Sequence, residues 1–380
     1  MNGLKRPKHG GMMSRIIRSG IERTIEASKV VLADCRLDNG AIVAANPTQE
    51  CYPKEAKNYS YVWPRDASFA CLAADVLGLP AFQEGFFRWC LRRAEGFRET
   101  GLFFEKYYVN GLKASGRFQP DQTGSILFAL WHHYRQDLEG AREFEELIER
   151  AADGLAGAWN GRSFSLVTND LWEERLAFPD LAENFTYSLA ACIRGLDCAC
   201  EMIPDGEGCE AWRRAAGEMS SRLDEHFVGG HFVRSYGELT DRRIDASVLG
   251  LVYPFAIYEA YDPRIVSTVE EIERRLVVSE GPLKGGVRRY EHDEYDGWMY
   301  EGMHRRKGAG AWPLLSLWLS IYWALRDDSE RARGYYDWVL ESTEGYIPEQ
   351  IFDNDIQVSV SPLLWSHAIF VIASRFLGEL

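Results

Sequence analysis

The chain has 380 residues, 46% hydrophobic and 26% charged, the composition of a globular protein with a substantial core. Its net charge of −14 leaves no basic surface to neutralise phosphates, which excludes nucleic acid as a main partner. No apolar run reaches the length of about 18 residues that a membrane span needs, and the basic stretch Met1–Gly11 has no apolar segment behind it, so no membrane association and a cytoplasmic location are expected.

Periodicity near 3.6 residues predicts a mostly helical, β-poor chain. Residues 1–15 read as a flexible N-terminus. Helices are expected near 14–35, 66–78, 81–97, 122–136, 141–158, 184–203, 207–226, 244–252, 263–275, 308–325, 329–342 and 362–378. Gly78 closes the second of these, where a left-handed residue is needed. Asp262-Pro263 and Ser361-Pro362 each set a capping oxygen before a proline at the first helical position, and Asp328-Ser329 opens the penultimate helix. The irregular spacing excludes a solenoid of fixed period. Six helical hairpins closed into an all-α (α/α)6 toroid fit the count.

Long polar and aromatic connections run over about 36–65, 98–121, 159–183, 277–307 and 343–361. Loops of that length are usually functional, and a rigid ring with its long loops gathered at one end builds a pocket. The eight cysteines, Cys35, Cys51, Cys71, Cys90, Cys192, Cys198, Cys200 and Cys209, show no framework spacing and read as buried free thiols. Cys198-Ala199-Cys200 with Cys209 lacks the paired motif or histidines of a metal cluster, so neither metal nor cofactor is expected. His132, His133, His226 and His231 have no carboxylate partners at ligand spacing and read as structural or surface residues, and His367 as a support for the pocket.

Within the third connection, Asn169-Asp170-Leu171-Trp172-Glu173-Glu174-Arg175 places two carboxylates beside a tryptophan. Adjacent residues cannot point the same way, so Glu173 and Glu174 are expected to do different jobs. One would press against an aromatic surface and stay protonated near neutral pH; the other would stay ionised and bind ligand hydroxyls. Hydrolysis of a glycosidic bond needs two carboxyls, one to protonate the leaving oxygen and one to activate water or attack carbon. Glu173 and Glu349 are the pair the sequence offers, the latter held by the extended approach Tyr346-Ile347-Pro348. In Trp63-Pro64-Arg65-Asp66 the proline forces Trp63 into an extended conformation. Asp66 either caps the helix there or, with Arg65, grips a pair of sugar hydroxyls. The 12 Trp, 18 Tyr and 19 Phe suit the C–H faces of sugars as well as an ordinary core.

Five motifs occur together and in order: Tyr61-Val62-Trp63-Pro64-Arg65-Asp66; Asp170-Leu171-Trp172-Glu173-Glu174 followed by Phe185-Thr186-Tyr187-Ser188; Arg288-Arg289-Tyr290; Pro348-Glu349-Gln350; and Pro362-Leu363-Leu364-Trp365-Ser366-His367-Ala368. From about residue 20 onward the chain resembles the catalytic domain of glycoside hydrolase family 15, the glucoamylase family. The resemblance implies an (α/α)6 barrel over 16–380 and an inverting, exo-acting α-glucosidase. It implies Glu173 as general acid and Glu349 as general base. Arg65, Asp66, Glu174 and Arg289 would bind hydroxyls of the terminal glucose, Trp63, Trp172 and Trp312 would wall the pocket, and the Leu171 carbonyl belongs to the same subsite. Tyr59 and Tyr61 align with tyrosines near the base, and Tyr59 would steady the catalytic water.

Departures from the family pattern stand out. Gly308-Ala309-Gly310-Ala311-Trp312-Pro313 replaces a Gly-Asn-Pro-Trp stretch, and Ser115-Gly116-Arg117-Phe118-Gln119-Pro120-Asp121-Gln122 leaves the outer subsite without its tryptophan. No stretch of the sequence reads as the N-terminal β-sandwich domain usual in prokaryotic members, so short soluble substrates or a homo-oligomer are expected. Hydrolysis of α-1,4-glucans or maltooligosaccharides is the first expectation. Trehalose and α-1,6-glucans (isomaltose, dextran) are the alternatives, and a non-catalytic glucan-binding regulatory protein is the reading from another class. Inversion requires room for a water, with the carboxyls about 6.5–9.5 Å apart.

Overall fold

Along the chain, helices alternate between an outer and an inner ring. The computed structural model describes residues 10–79, 81–297 and 308–380. Residues 1–9 of the expected flexible N-terminus, and 298–307 of the fourth long connection, lie outside the described residues. Outer α1 (Gly10–Cys35) leads to inner α2 (Pro64–Leu77). Outer α3 (Phe82–Arg93), followed by the single turn α4 (Phe97–Thr100), leads to inner α5 (Pro120–Tyr134). Then outer α6 (Glu145–Ala158) leads to inner α7 (Thr186–Met202), and outer α8 (Cys209–Asp224), packed on α7, leads to the 3₁₀ helix Ala246–Leu251. Finally outer α9 (Pro263–Leu276) leads to inner α10 (Pro313–Leu325), and outer α11 (Ser329–Ser342), packed on α10, leads to inner α12 (Leu364–Phe376). The inner elements touch in the order α2, α5, α7, 3₁₀ helix, α10, α12, and α12 returns to α2. The ring is closed: this is the (α/α)6 toroid.

Residue pattern decides which ring a helix joins. α10 is buried continuously from Pro313 to Trp323 and α12 from Leu364 to Ser374, apolar or small on every side apart from the hydrogen-bonded His367, as suits an enclosed helix. Outer α9 instead buries one stripe, Ile265, Thr268, Val269, Ile272 and Leu276, and leaves Glu270, Arg274 and Arg275 to solvent. Inner α5 and α7 meet backbone to backbone. A Cβ on Gly124 would stand 2.3 Å from the Ala191 carbonyl oxygen, and one on Gly195 would stand 2.8 Å from Gly124 Cα. Gly124→Ala is therefore expected to cost about 1–3 kcal/mol by forcing the two helices apart, read as a lower denaturant midpoint with an unchanged m-value.

Three of the expected helix signals act as written. Asp262 accepts from Arg264 N, Asp328 accepts from Arg331 N, and Gly78 ends α2 at φ 65°, ψ 34°. Two do not. α2 begins at Pro64, so Asp66 sits inside the first turn, where the helix dipole favours an anion, and is no cap. The Ser361–Pro362 peptide is cis and belongs to the turn before α12. The helix expected at 244–252 is the 3₁₀ segment, with Asp245 accepting from Ser247 N.

What brings side chains to the site is the way inner helices start. α2, α5 and α10 carry proline in the first turn and are preceded by Trp63, Gln119 and Trp312, each in extended backbone and making no cap bond. Proline confines its predecessor to that region and removes a donor that would need a cap. These three side chains are thus released to turn into one end of the ring.

Two of the long connections hold a small sheet that the β-poor reading did not locate. Its strands are β1 (Phe104–Tyr107), β2 (Lys113–Phe118), β3 (Thr168–Asn169) and β4 (Leu176–Ala177), in that order. β1–β2 and β3–β4 are antiparallel; β2 and β3 run parallel at Phe118 and Thr168. All eight cysteines are free; seven are buried and Cys51 is exposed. His132 and His133 share a carboxylate partner distant in sequence, Asp75 of α2, at 2.7 and 2.6 Å. Among the described residues no helix is long and apolar enough to cross a membrane.

Candidate active site

β3 and β4 bracket the turn that carries the paired glutamates. Asp170 builds it: its carbonyl accepts from Glu173 N at 3.0 Å, and its Oδ1 accepts from Glu174 N at 2.8 Å and Arg175 N at 2.9 Å. Its Oδ2 pairs with Arg234, which is 4% exposed and lies 3.4 Å from Asp245. Glu173 is held at φ 63°, in the left-handed region. The two neighbouring glutamates take different partners, as their adjacency required.

Glu173 Oε1 accepts from Trp63 Nε1 at 2.5 Å, and its Oε2 accepts from Lys106 Nζ at 3.1 Å. Burial pushes its pKa up, but the Lys106 ammonium, the Trp63 hydrogen bond and Arg65 together outweigh it and hold the carboxyl below the ordinary range. Glu173 does meet an aromatic surface, the Trp63 indole, but with a cation from β1 on its other oxygen its pKa is lowered where a raised one was expected.

Glu349 lies on a segment pinned by α12. Glu349 N donates to Val360 O at 2.8 Å, Ser366 Oγ donates to Pro348 O at 2.9 Å, and Ile347 N donates to His367 Nε2 at 2.9 Å. With Nε2 accepting, His367 carries its proton on Nδ1, 2.9 Å from Ser28 Oγ, and burial lowers its pKa to about 3. It supports the pocket, as expected. Glu349 Oε1 accepts from Tyr59 Oη at 2.9 Å, while Oε2 is buried without a hydrogen-bond partner among the described residues. Burial raises the Glu349 pKa to about 7, against the opposing pull of Tyr59, Arg289 and Lys57.

Both glutamates line one cavity of about 210 Å³. Tyr59, Trp63, Arg65, Asp66, Leu171, Trp172, Glu174, Arg289 and Trp312 line it too, so the fold gathers every expected site residue but one. Tyr61 is that one. It stands edge-on to Trp63, at 5.9 Å, in an outer basin of about 840 Å³ that shares Lys57, Tyr59, Trp63 and Glu173 with the cavity. Trp312 keeps its place despite the altered stretch around it, 5.6 Å from Trp172.

Arg289 is the charged hub of the floor. It makes two 2.7 Å bonds to Asp293 and one of 2.7 Å to Glu174, and its guanidinium stands 4.9 Å from both Trp312 and Tyr295. Across the cavity, Arg65 donates to Asp121 at 3.1 Å and lies 4.9 Å from the Trp365 ring. Asp66 Oδ1 is buried 3.3 Å from the Arg65 guanidinium but without a well-formed hydrogen bond among the described residues, and burial lifts the Asp66 pKa to about 6 against the pull of Arg65. Fixed cations, carboxylates and aromatic walls around a one-ring volume suit a polyhydroxylated ligand.

Sequence reasoning missed Tyr295, Trp365, Lys106 and Arg234. Trp365 stood inside a quoted motif and was available. Tyr295, whose hydroxyl is 3.3 Å from that of Tyr59, had only its place in an acidic, aromatic run. Lys106 and Arg234 act across long sequence separations and leave no local mark.

The family model described as Glycosyl hydrolases family 15 matches residues 23–375. An uncharacterised glycosyl hydrolase of Methanocaldococcus jannaschii is 30% identical over 377 residues, 92% of this chain but 55% of its own length, so this chain spans about half of that relative. An isomaltose glucohydrolase of Kribbella flavida is 24% identical over 381 residues, 90% of each chain. A solved glycosidase in complex with glucose superposes over 100% of both chains with a TM-score of 0.78 at 24% identity, which shows the shared fold. The family match leaves only the two ends of the sequence outside it, and the chain belongs to the glycosyl hydrolases of family 15.

Proposed function

We propose that residues 16–380 form one catalytic domain, an inverting, exo-acting α-glucosidase that releases β-glucose from the non-reducing ends of α-1,4-glucans and maltooligosaccharides. The observation that carries this reading is the sharing of one small, aromatic-walled cavity by Glu173 and Glu349. A cavity of about 210 Å³ beside a basin of about 840 Å³ suits one terminal sugar ring inside and the leaving portion outside. A glucan-binding regulatory module would have no use for two such carboxyls.

Arg65, Asp66, Glu174 and Arg289 bind the hydroxyls of the enclosed ring. Glu173 passes its proton to the glycosidic oxygen as the C–O bond breaks. Glu349 takes a proton from a water that attacks the anomeric carbon from the opposite face, and Tyr59 fixes the orientation of that carboxylate. One turnover leaves Glu173 ionised and Glu349 protonated, the same order that the resting pKa shifts favour.

A second reading, hydrolysis of short α-1,6-linked substrates, draws support from the isomaltose glucohydrolase that matches over 90% of both chains. Glucose release from maltose, maltotriose, isomaltose, trehalose and starch, measured side by side, separates the two. The highest kcat/KM on maltotriose or starch supports the first and on isomaltose the second; release from none overturns both.

A further inference from the structure

Both oxygens of Glu173 accept hydrogen bonds, from Trp63 at 2.5 Å and from Lys106 at 3.1 Å. A neutral carboxyl group must point its own proton at an acceptor, and an ammonium has none. The arrangement therefore fits the carboxylate, which has no proton to give. Of the two donors, Trp63 is 5% exposed and fixed at the start of α2. The Lys106 side chain is 25% exposed, lines the basin, and has a second anchor in Glu105 Oε1 at 3.2 Å. Lys106 can leave Glu173 without losing its counter-charge.

We propose that Lys106 is a positioning residue that keeps Glu173 ionised while the basin is empty, and that the leaving group's hydroxyls, on entering, draw the ammonium away and let the acid take up its proton. The inference rests on the reading of Glu173 as the acid. The charged groups facing Glu173 are Glu105 and Lys106 of β1, Arg65 and Asp66 of α2, Glu349, and Lys57, which lines both the cavity and the basin with it. The phenols of Tyr59 and Tyr295 also face it, and Arg117 of β2 reaches its backbone carbonyl at 3.4 Å. Lys106 donates to the carboxylate as a cation, at 3.1 Å.

The productive pair holds one proton, on Glu173. In kcat/KM, which reports the free enzyme, the acidic limb marks the uptake of a second proton by Glu173. Lys106→Met is expected to move that limb to higher pH by about one unit or more, since an opposite charge at this range is worth that much. Lys106→Arg should keep the wild-type limb. In the wild type the limb read from kcat should lie above the one read from kcat/KM, and in Lys106→Met the two should coincide. Lys106→Gln gives the same readout should the methionine variant fold poorly. An unmoved limb in Lys106→Met, an equal shift in Lys106→Arg, or wild-type limbs that coincide would overturn the proposal. Undiminished turnover in Glu173→Gln would overturn the acid assignment itself; lost turnover there with an unmoved limb in Lys106→Met overturns this inference alone.

Discussion

Glu349→Gln is expected to lower kcat by about 10²–10⁴ while the protein stays folded. Glutamine keeps the volume and an oxygen for the Tyr59 hydroxyl, and Glu349 Oε2 has no hydrogen-bond partner among the described residues to lose. Only the capacity to take a proton from water disappears. The pH dependence gives a second check. With Glu349 raised to about 7, the last proton of the pair leaves near neutral pH, so wild-type kcat/KM should fall as pH rises through about 7. In Glu349→Gln that limb should move to lower pH, where Glu173 alone titrates. Full turnover of glutamine enzyme, measured as glucose released per second, refutes the base assignment.

Glu173→Gln is expected to cost a comparable factor, about 10²–10⁴ in kcat, for any substrate whose leaving group needs protonation. The substitution separates chemistry from folding because it keeps the strained backbone at φ 63° and an oxygen for the Trp63 indole. Melting temperature should change little, since the turn is held by Asp170 and Arg234 and does not depend on the Glu173 carboxylate. A large loss of stability alongside the loss of rate would assign Glu173 a structural role instead.

How much of this was legible depends on how local the causes are. The twelve helical segments, the αL stop at Gly78 and the caps at Asp262 and Asp328 are written within a few residues of where they act, and the toroid followed from them. The turn at Asp170–Arg175 was marked by its adjacent carboxylates. The β1–β2 hairpin was not, because its short strands look like polar loop until they pair. That omission carried a consequence for the site. Lys106 sits on β1, 67 positions from the glutamate it contacts, so the tryptophan beside Glu173 points to a raised pKa where the distant cation lowers it. Arg234, 64 positions from Asp170, and Tyr295, 236 positions from Tyr59, were hidden for the same reason. Inner-helix prolines worked the other way only in part. Pro64 is legible as the residue that holds Trp63 extended, but helices expected from 66, 122 and 308 leave Pro64 and Pro120 outside and put Trp312 and Pro313 within, so the start of α10 at Pro313, which frees Trp312, had to come from the structure.

Everything in the functional account descends from an acid and a base acting from opposite walls of one hollow on a single glycosidic bond. Proton NMR of the glucose first released, recorded before mutarotation, tests that directly. The account predicts the β-anomer; the α-anomer would mean retention of configuration and contradict it.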